Sequence, residues 1–123
     1  MHQDDILRYC LQKEGAYLDL PFGPGCECVK LRGHIFAQLF LLKGVPMVTL
    51  KCEPSYGDFF RRVYPDIVTR GWHCPPVQQP HWNTIRYLEM PDEELLSMID
   101  HAYLRVRAKL TKKEREGLSE VEA

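Results

Sequence analysis

Between Gly71 and Tyr87 the chain reads GWHCPPVQQPHWNTIRY, bringing His73, Cys74, His81, Trp82 and Asn83 into one short segment. Imidazole, thiol, indole and amide groups at this spacing suit three chemistries: metal ligation, thiol catalysis and ligand recognition. Zinc takes four protein ligands in a structural site, or three and a water in a catalytic one. The segment offers only His73, Cys74 and His81, at a spacing that matches no zinc pattern, so neither a metal nor any other cofactor is expected. A cysteine nucleophile needs a histidine within reach and a group that orients it, and Cys52 or Cys74 with His81 and Asn83 could be drawn that way. Pro75 and Pro76 follow Cys74 where an oxyanion hole would need backbone N–H groups, and no glycine elbow is present, so no enzymatic activity is expected. Recognition fares better. Trp72, Trp82 and Tyr87 offer flat faces, Gln78, Gln79 and Asn83 offer paired donors and acceptors, and Arg70 and Arg86 flank the segment. Against this stands a plainer expectation, that His81 and Asn83 bond internally while Trp82 packs.

The elements that must position this segment follow from periodicity. Ile6, Leu7, Cys10 and Leu11 fall on one helical stripe over residues 4–14, with acids before it and Gly15 after it. LDLPFGPG, residues 18–25, holds two prolines and two glycines and reads as a loop. CECVKLR, IFAQLFLL and PMVTLKC are strand-like runs separated by Gly33 and by Lys43-Gly44, which predicts an antiparallel meander. EPSYGDFFRRVYP changes the period to that of a helix started by Pro54 and stopped by Pro65. Residues 67–72 and 82–88 are the fourth and fifth strands, joined by the 71–81 segment. MPDEELLSMIDHAYLRVRAKL opens with Pro91 and three acids, carries a wide apolar stripe and ends in cations, as a helix on a sheet should. The order α-βββ-α-ββ-α predicts an α+β domain, with an antiparallel sheet of about five strands and helices mainly on one face. One domain spans residues 1–123, with a polar tail from about 117.

Composition narrows the function. With 45% hydrophobic and 27% charged residues the chain is an ordinary globular one, and no apolar run approaches a membrane span. The opening MHQDDILRYC lacks the basic and apolar regions of an export signal, and the five cysteines are odd in number and scattered; both predict a reduced, cytoplasmic protein. The formal charge is −1, so affinity for nucleic acid would rest on local patches. Lys30, Arg32, Lys51, Arg61, Arg62 and Arg70 are the candidates for phosphate contacts. The His101, Arg105, Lys109, Lys112 edge of the last helix complements the helix dipole.

Taken together, PFG at Pro21–Gly23, VKLRGHIFA, VTLKC with Glu53-Pro54, GWH followed by HWNT, and IDHAY with AKL resemble the MmcQ/YjbR family of small bacterial proteins over nearly the whole chain. The resemblance implies the two-layer α+β sandwich called CyaY/YjbR-like. It also implies DNA binding without catalysis, and marks Lys51, His73, His81, Trp82 and Asn83 as positions of interest. Gln78, Gln79 and Pro80 stand where many relatives carry lysines, and His34 replaces a common lysine, which removes positive charge from the contact surfaces. Two functions follow as expectations. One is weak, salt-dependent binding of double-stranded DNA with little sequence preference. The other is a protein or small-molecule binding module that uses the GWH to HWNT loop and the sheet face.

Overall fold

The computed structural model describes residues 1–72 and 74–119. Its elements are α1 (Gln3–Leu11), β1 (Ala16–Asp19), β2 (Glu27–Leu31), β3 (His34–Leu42), β4 (Val45–Lys51), α2 (Pro54–Val63), β5 (Val68–Arg70), β6 (Trp82–Ile85) and α3 (Asp92–Ala108), with 3-10 turns at Gln79–His81 and Tyr87–Glu89. The strands form one antiparallel sheet in the order β1-β2-β3-β4-β6-β5. This is the expected α+β architecture, with six strands where the sequence suggests about five.

The added strand is β1, whose second half falls in the segment read as a loop. Ala16 pairs with Leu31 and Leu18 with Val29, and the Lys30 ammonium reaches the Asp19 carboxylate at 2.7 Å. Its four residues are all at least partly exposed, so no alternation of apolar and polar residues marks it. The fifth predicted strand is shorter than the sequence suggests. It ends at Ile85, and the chain turns through Tyr87–Glu89 into α3.

Two-residue turns set the meander. Arg32-Gly33 and Lys43-Gly44 both have positive φ at each residue (50° and 84°, 50° and 80°), the backbone that matches the right-handed twist of a hairpin. The β2–β3 register slips by one residue: Val29 faces Ala37 and Lys30 faces Ile35, leaving Phe36 as the bulged residue. A bulge bends its strand and strengthens local twist. Phe36 is buried and meets the Tyr103 ring edge-on at 5.5 Å.

Cross-strand pairing sorts the sheet into two faces. Val29, Ala37, Leu39, Val48, Leu50, Ile85 and Val68 form one face and share the core with Ile6 and Cys10 of α1 and with the α3 stripe Leu95, Met98, Ile99, Ala102, Tyr103 and Val106. Each such aliphatic or aromatic side chain contributes about 1.5–3 kcal/mol when fully buried, which is why the amphipathic helices lie on this face. Asp92, Glu93 and Glu94 sit in the first turn of α3 and Arg105 and Arg107 in the last, each sign at the helix end that favours it. The second face carries Cys28, Gln38, Thr49, Lys51, Trp82 and Thr84. No helix among the described residues is long and apolar enough to cross a membrane.

Candidate ligand-binding site

The HWNT motif is divided by strand alternation. Asn83 points to the helix side and is buried, accepting a hydrogen bond from Arg61 Nη1 at 2.6 Å and donating to the Gly57 carbonyl at 3.2 Å. It therefore bonds internally, as the plainer expectation holds, and it ties α2 to β6. Trp82 and Thr84 point to the other face. Thr84 Oγ1 lies 2.8 Å from Thr49 Oγ1 and accepts the Trp72 backbone N–H at 2.9 Å. The His81 backbone does the bridging in its part of the chain: its carbonyl accepts from Cys52 N at 2.8 Å and its N–H donates to Gln78 O at 3.0 Å. His73 lies outside the described residues.

The connection between β5 and β6 folds back over the second face. Gly71 N donates to Trp82 O at 3.0 Å and Gln79 Nε2 to Cys74 O at 3.1 Å. The β3–β4 ladder stops at Ala37–Leu50, and a cavity of about 520 Å³ opens beyond that end. Its walls are Ile35 and Gln38 of β3, Thr49 and Lys51 of β4, Trp82 of β6, Cys74 and Pro75 of the connection, and Val106, Lys109 and Leu110 at the end of α3. This volume is in the range of small-molecule sites, ~300–1,000 Å³.

Lys51 places its ammonium 4.7 Å from the centre of the Trp82 ring, a cation–π contact across the β4–β6 register pair. Burial lowers the pKa of this amine, and the nearby charges of Lys109 and Arg105 lower it further. The His81 imidazole is lowered in the same way, by burial first and then by Lys51, Lys109 and Arg105. Three cations thus converge on one end of the sheet. The thiols are not poised for attack: burial pushes Cys52 up to about 11 and raises Cys74, and Cys52 Sγ lies 3.6 Å from the Pro80 carbonyl, which it faces as a donor. Among the described residues no group of three or more His, Cys, Asp or Glu could hold a metal ion.

The cations singled out from the sequence go to different places. Lys51 enters the cavity. Lys30 pairs with Asp19 on the same face of the sheet. Arg32 donates to the carbonyls of Glu114 and Glu116 at 2.9 and 3.1 Å, pinning the segment after α3. Arg61 bonds Asn83 in the interior, and Arg62 pairs with Asp58 one turn away on α2. Arg70 is exposed on the edge strand β5. Thr49, Gln38 and Ile35 were not marked by sequence reasoning, although Val48-Thr49-Leu50-Lys51 alternates as a strand with one polar face should. Arg105 and Lys109 had a sufficient explanation in the helix dipole.

These features define a small α+β module with helices on one face of its sheet and a cationic, aromatic-walled cavity at the end of the other. The YjbR family model matches residues 11–105, and the chain belongs to the YjbR family. It is 27% identical over 101 residues to the "Uncharacterized protein YjbR" of Escherichia coli strain K12, covering 80% of this chain and 81% of that one. It is 33% identical over 89 residues to the "Uncharacterized protein YbdF" of Escherichia coli O157:H7, covering 72% and 70%. Among solved structures, the Deinococcus radiodurans protein DR2400 superposes with a TM-score of 0.79 at 24% identity, over 96% of this chain and 94% of that one. A Pseudomonas syringae protein gives 0.69 at 17% identity, over 83% and 96%. These two structures share the fold.

Proposed function

We propose that this chain is a non-catalytic binding module that holds a small ligand in the cavity between the second face of the sheet, residues 74–78 of the connection and the end of α3. One observation carries the reading: Lys51, from the VTLKC motif, and Trp82, from HWNT, face the same cavity as Cys74 of the intervening loop. Motifs far apart in sequence meet at a concave surface of ligand size, where an apolar wall and a few polar groups give both affinity and orientation. The raised thiol pKa values and the burial of Cys52, whose Sγ faces the Pro80 carbonyl and does not line the cavity, support binding without covalent chemistry.

Contact with duplex DNA is the competing reading. It would rest on Arg70 and Lys51, which belong to the β5 edge and the cavity, whereas Lys30, Arg32, Arg61 and Arg62 are engaged within the chain. A phosphate-tracking surface needs cations in a continuous row, so the cavity is favoured. The test is a ligand-observed fragment screen, with hits located by the fluorescence of Trp82 in a Trp72→Phe background. Hits that perturb Trp82 and lose affinity in Lys51→Met support the reading. Hits spread over the surface with no preference for the cavity would end it.

A further inference from the structure

We infer that the ligand of this cavity is an organic anion: a compact molecule with one carboxylate, phosphate or sulfonate-type group and an apolar body. The inference rests on the cavity reading above and adds the chemical class of what enters.

The charge pattern is the first argument. Lys13, Lys30, Arg62, Arg86 and Arg107 each have a carboxylate within ion-pair distance. Among the described residues no carboxylate stands within 4.0 Å of Lys51, Arg105 or Lys109. These three lie close enough for Arg105 and Lys109 to act on the Lys51 amine, which is itself partly withdrawn from water. Like charges gathered in a site of reduced dielectric repel one another, and an incoming anion relieves that repulsion while gaining charge-assisted hydrogen bonds.

An unmet donor is the second. Arg105 Nε is enclosed and has no hydrogen-bond partner. Buried polar groups are paired in the great majority of cases, so this donor, next in sequence to Val106 of the cavity wall, leaves an uncompensated positive group at the same end of α3.

The lining is the third. Ile35, Val106, Leu110 and the Trp82 ring surround much of the space, and an inorganic ion would leave that apolar surface uncovered. Gln38 and Thr49 add neutral donors and acceptors on the sheet side. A carbon body against the apolar wall with its anionic group at Lys51 and Lys109 uses both parts of the site.

The test uses two fluorescent probes of similar shape and different charge, 8-anilinonaphthalene-1-sulfonate and neutral N-phenyl-1-naphthylamine. The position of binding is read from protection of Cys74 against N-ethylmaleimide, followed by mass spectrometry. The sulfonate should bind one to one and protect Cys74. It should bind about tenfold more tightly than the neutral probe, and Lys51→Met and Lys109→Met should each weaken it about tenfold while leaving the neutral probe unchanged. Lys109 is exposed at the helix end, so its replacement is tolerated even if Lys51→Met lowers stability. Equal affinity for the two probes, with Cys74 protected by both, would overturn the anion inference and leave the binding module standing. Failure of both to protect Cys74 would remove the cavity as a site and the proposed function with it.

Discussion

Replacing Asn83 with alanine tests whether Arg61 is a structural residue or a nucleic-acid contact. Asn83 is 1% exposed and joins two elements: it accepts from the Arg61 guanidinium at 2.6 Å and donates to the Gly57 carbonyl at 3.2 Å. A hydrogen bond to a charged group contributes about 1.5–3 kcal/mol and a neutral one about 1 kcal/mol. Their joint loss should cost about 3 kcal/mol. For a domain of this size that lowers Tm by about 10 °C. Urea and thermal denaturation of Asn83→Ala, Arg61→Met and the double variant form a cycle. The coupling between the two positions should be about 1.5–3 kcal/mol, because each single change removes the same contact. Additive effects would show that Arg61 and Asn83 do not depend on each other, and the reasoning would fail. So would an Arg61→Met chain of unchanged stability that had lost affinity for a DNA duplex.

Gly57→Ala should destabilise although alanine is the better helix former by about 1 kcal/mol, because a Cβ there would stand 2.5 Å from Cys52 Sγ and 3.2 Å from Asn83 Nδ2; Cys52→Ala in the same chain should restore much of the loss, and a stabilised single variant would contradict the packing. His101 Nε2 accepts the Glu53 backbone N–H at 3.0 Å and its ring stacks on Tyr56, while burial lowers its pKa from 6.5. A base whose folded pKa is depressed gives stability that is present above its unfolded pKa and lost as pH falls from about 6.5 toward the folded value; urea midpoints from pH 7.5 to 5 should show that loss in the wild type and a shallower one in His101→Gln, and identical slopes would refute the assignment. Anisotropy of a labelled DNA duplex across a salt series should give a slope of log K on log salt below about two, at roughly 0.9 per phosphate neutralised, and a slope of five or more would restore the DNA reading.

The helices were legible because caps and stripes agree. Pro54 and Pro65 bracket α2, and in α3 three acids, an apolar stripe and terminal cations all name the same segment. β1 was hidden for the converse reason: Ala16-Tyr17-Leu18-Asp19 has no buried face of its own and is defined by partners in β2. The family motifs marked Lys51 and Trp82 as separate positions of interest, which the β4–β6 pairing brings together, and alternation in β4 would have added Thr49. Lys109 could not be joined to them, because only the path of α3 beneath the sheet brings it there. Arg61 was misleading in another way. On an exposed helix its charge reads as surface, and its true environment depends on an amide 22 residues later in the chain.

The two tight hairpins carry a consequence for the order in which the molecule assembles. β2, β3 and β4 are joined by turns that close with little loop entropy, so the meander is a local structure that can form early. Lys51 is in place once β6 has paired with β4, but Arg105 and Lys109 arrive only when the last helix docks. The positive charges are thus kept apart until the stripe from Leu95 to Val106 is committed to the core, and their mutual repulsion falls on the final step. An anion added during refolding should therefore speed docking of the C-terminal helix and leave formation of the hairpins untouched.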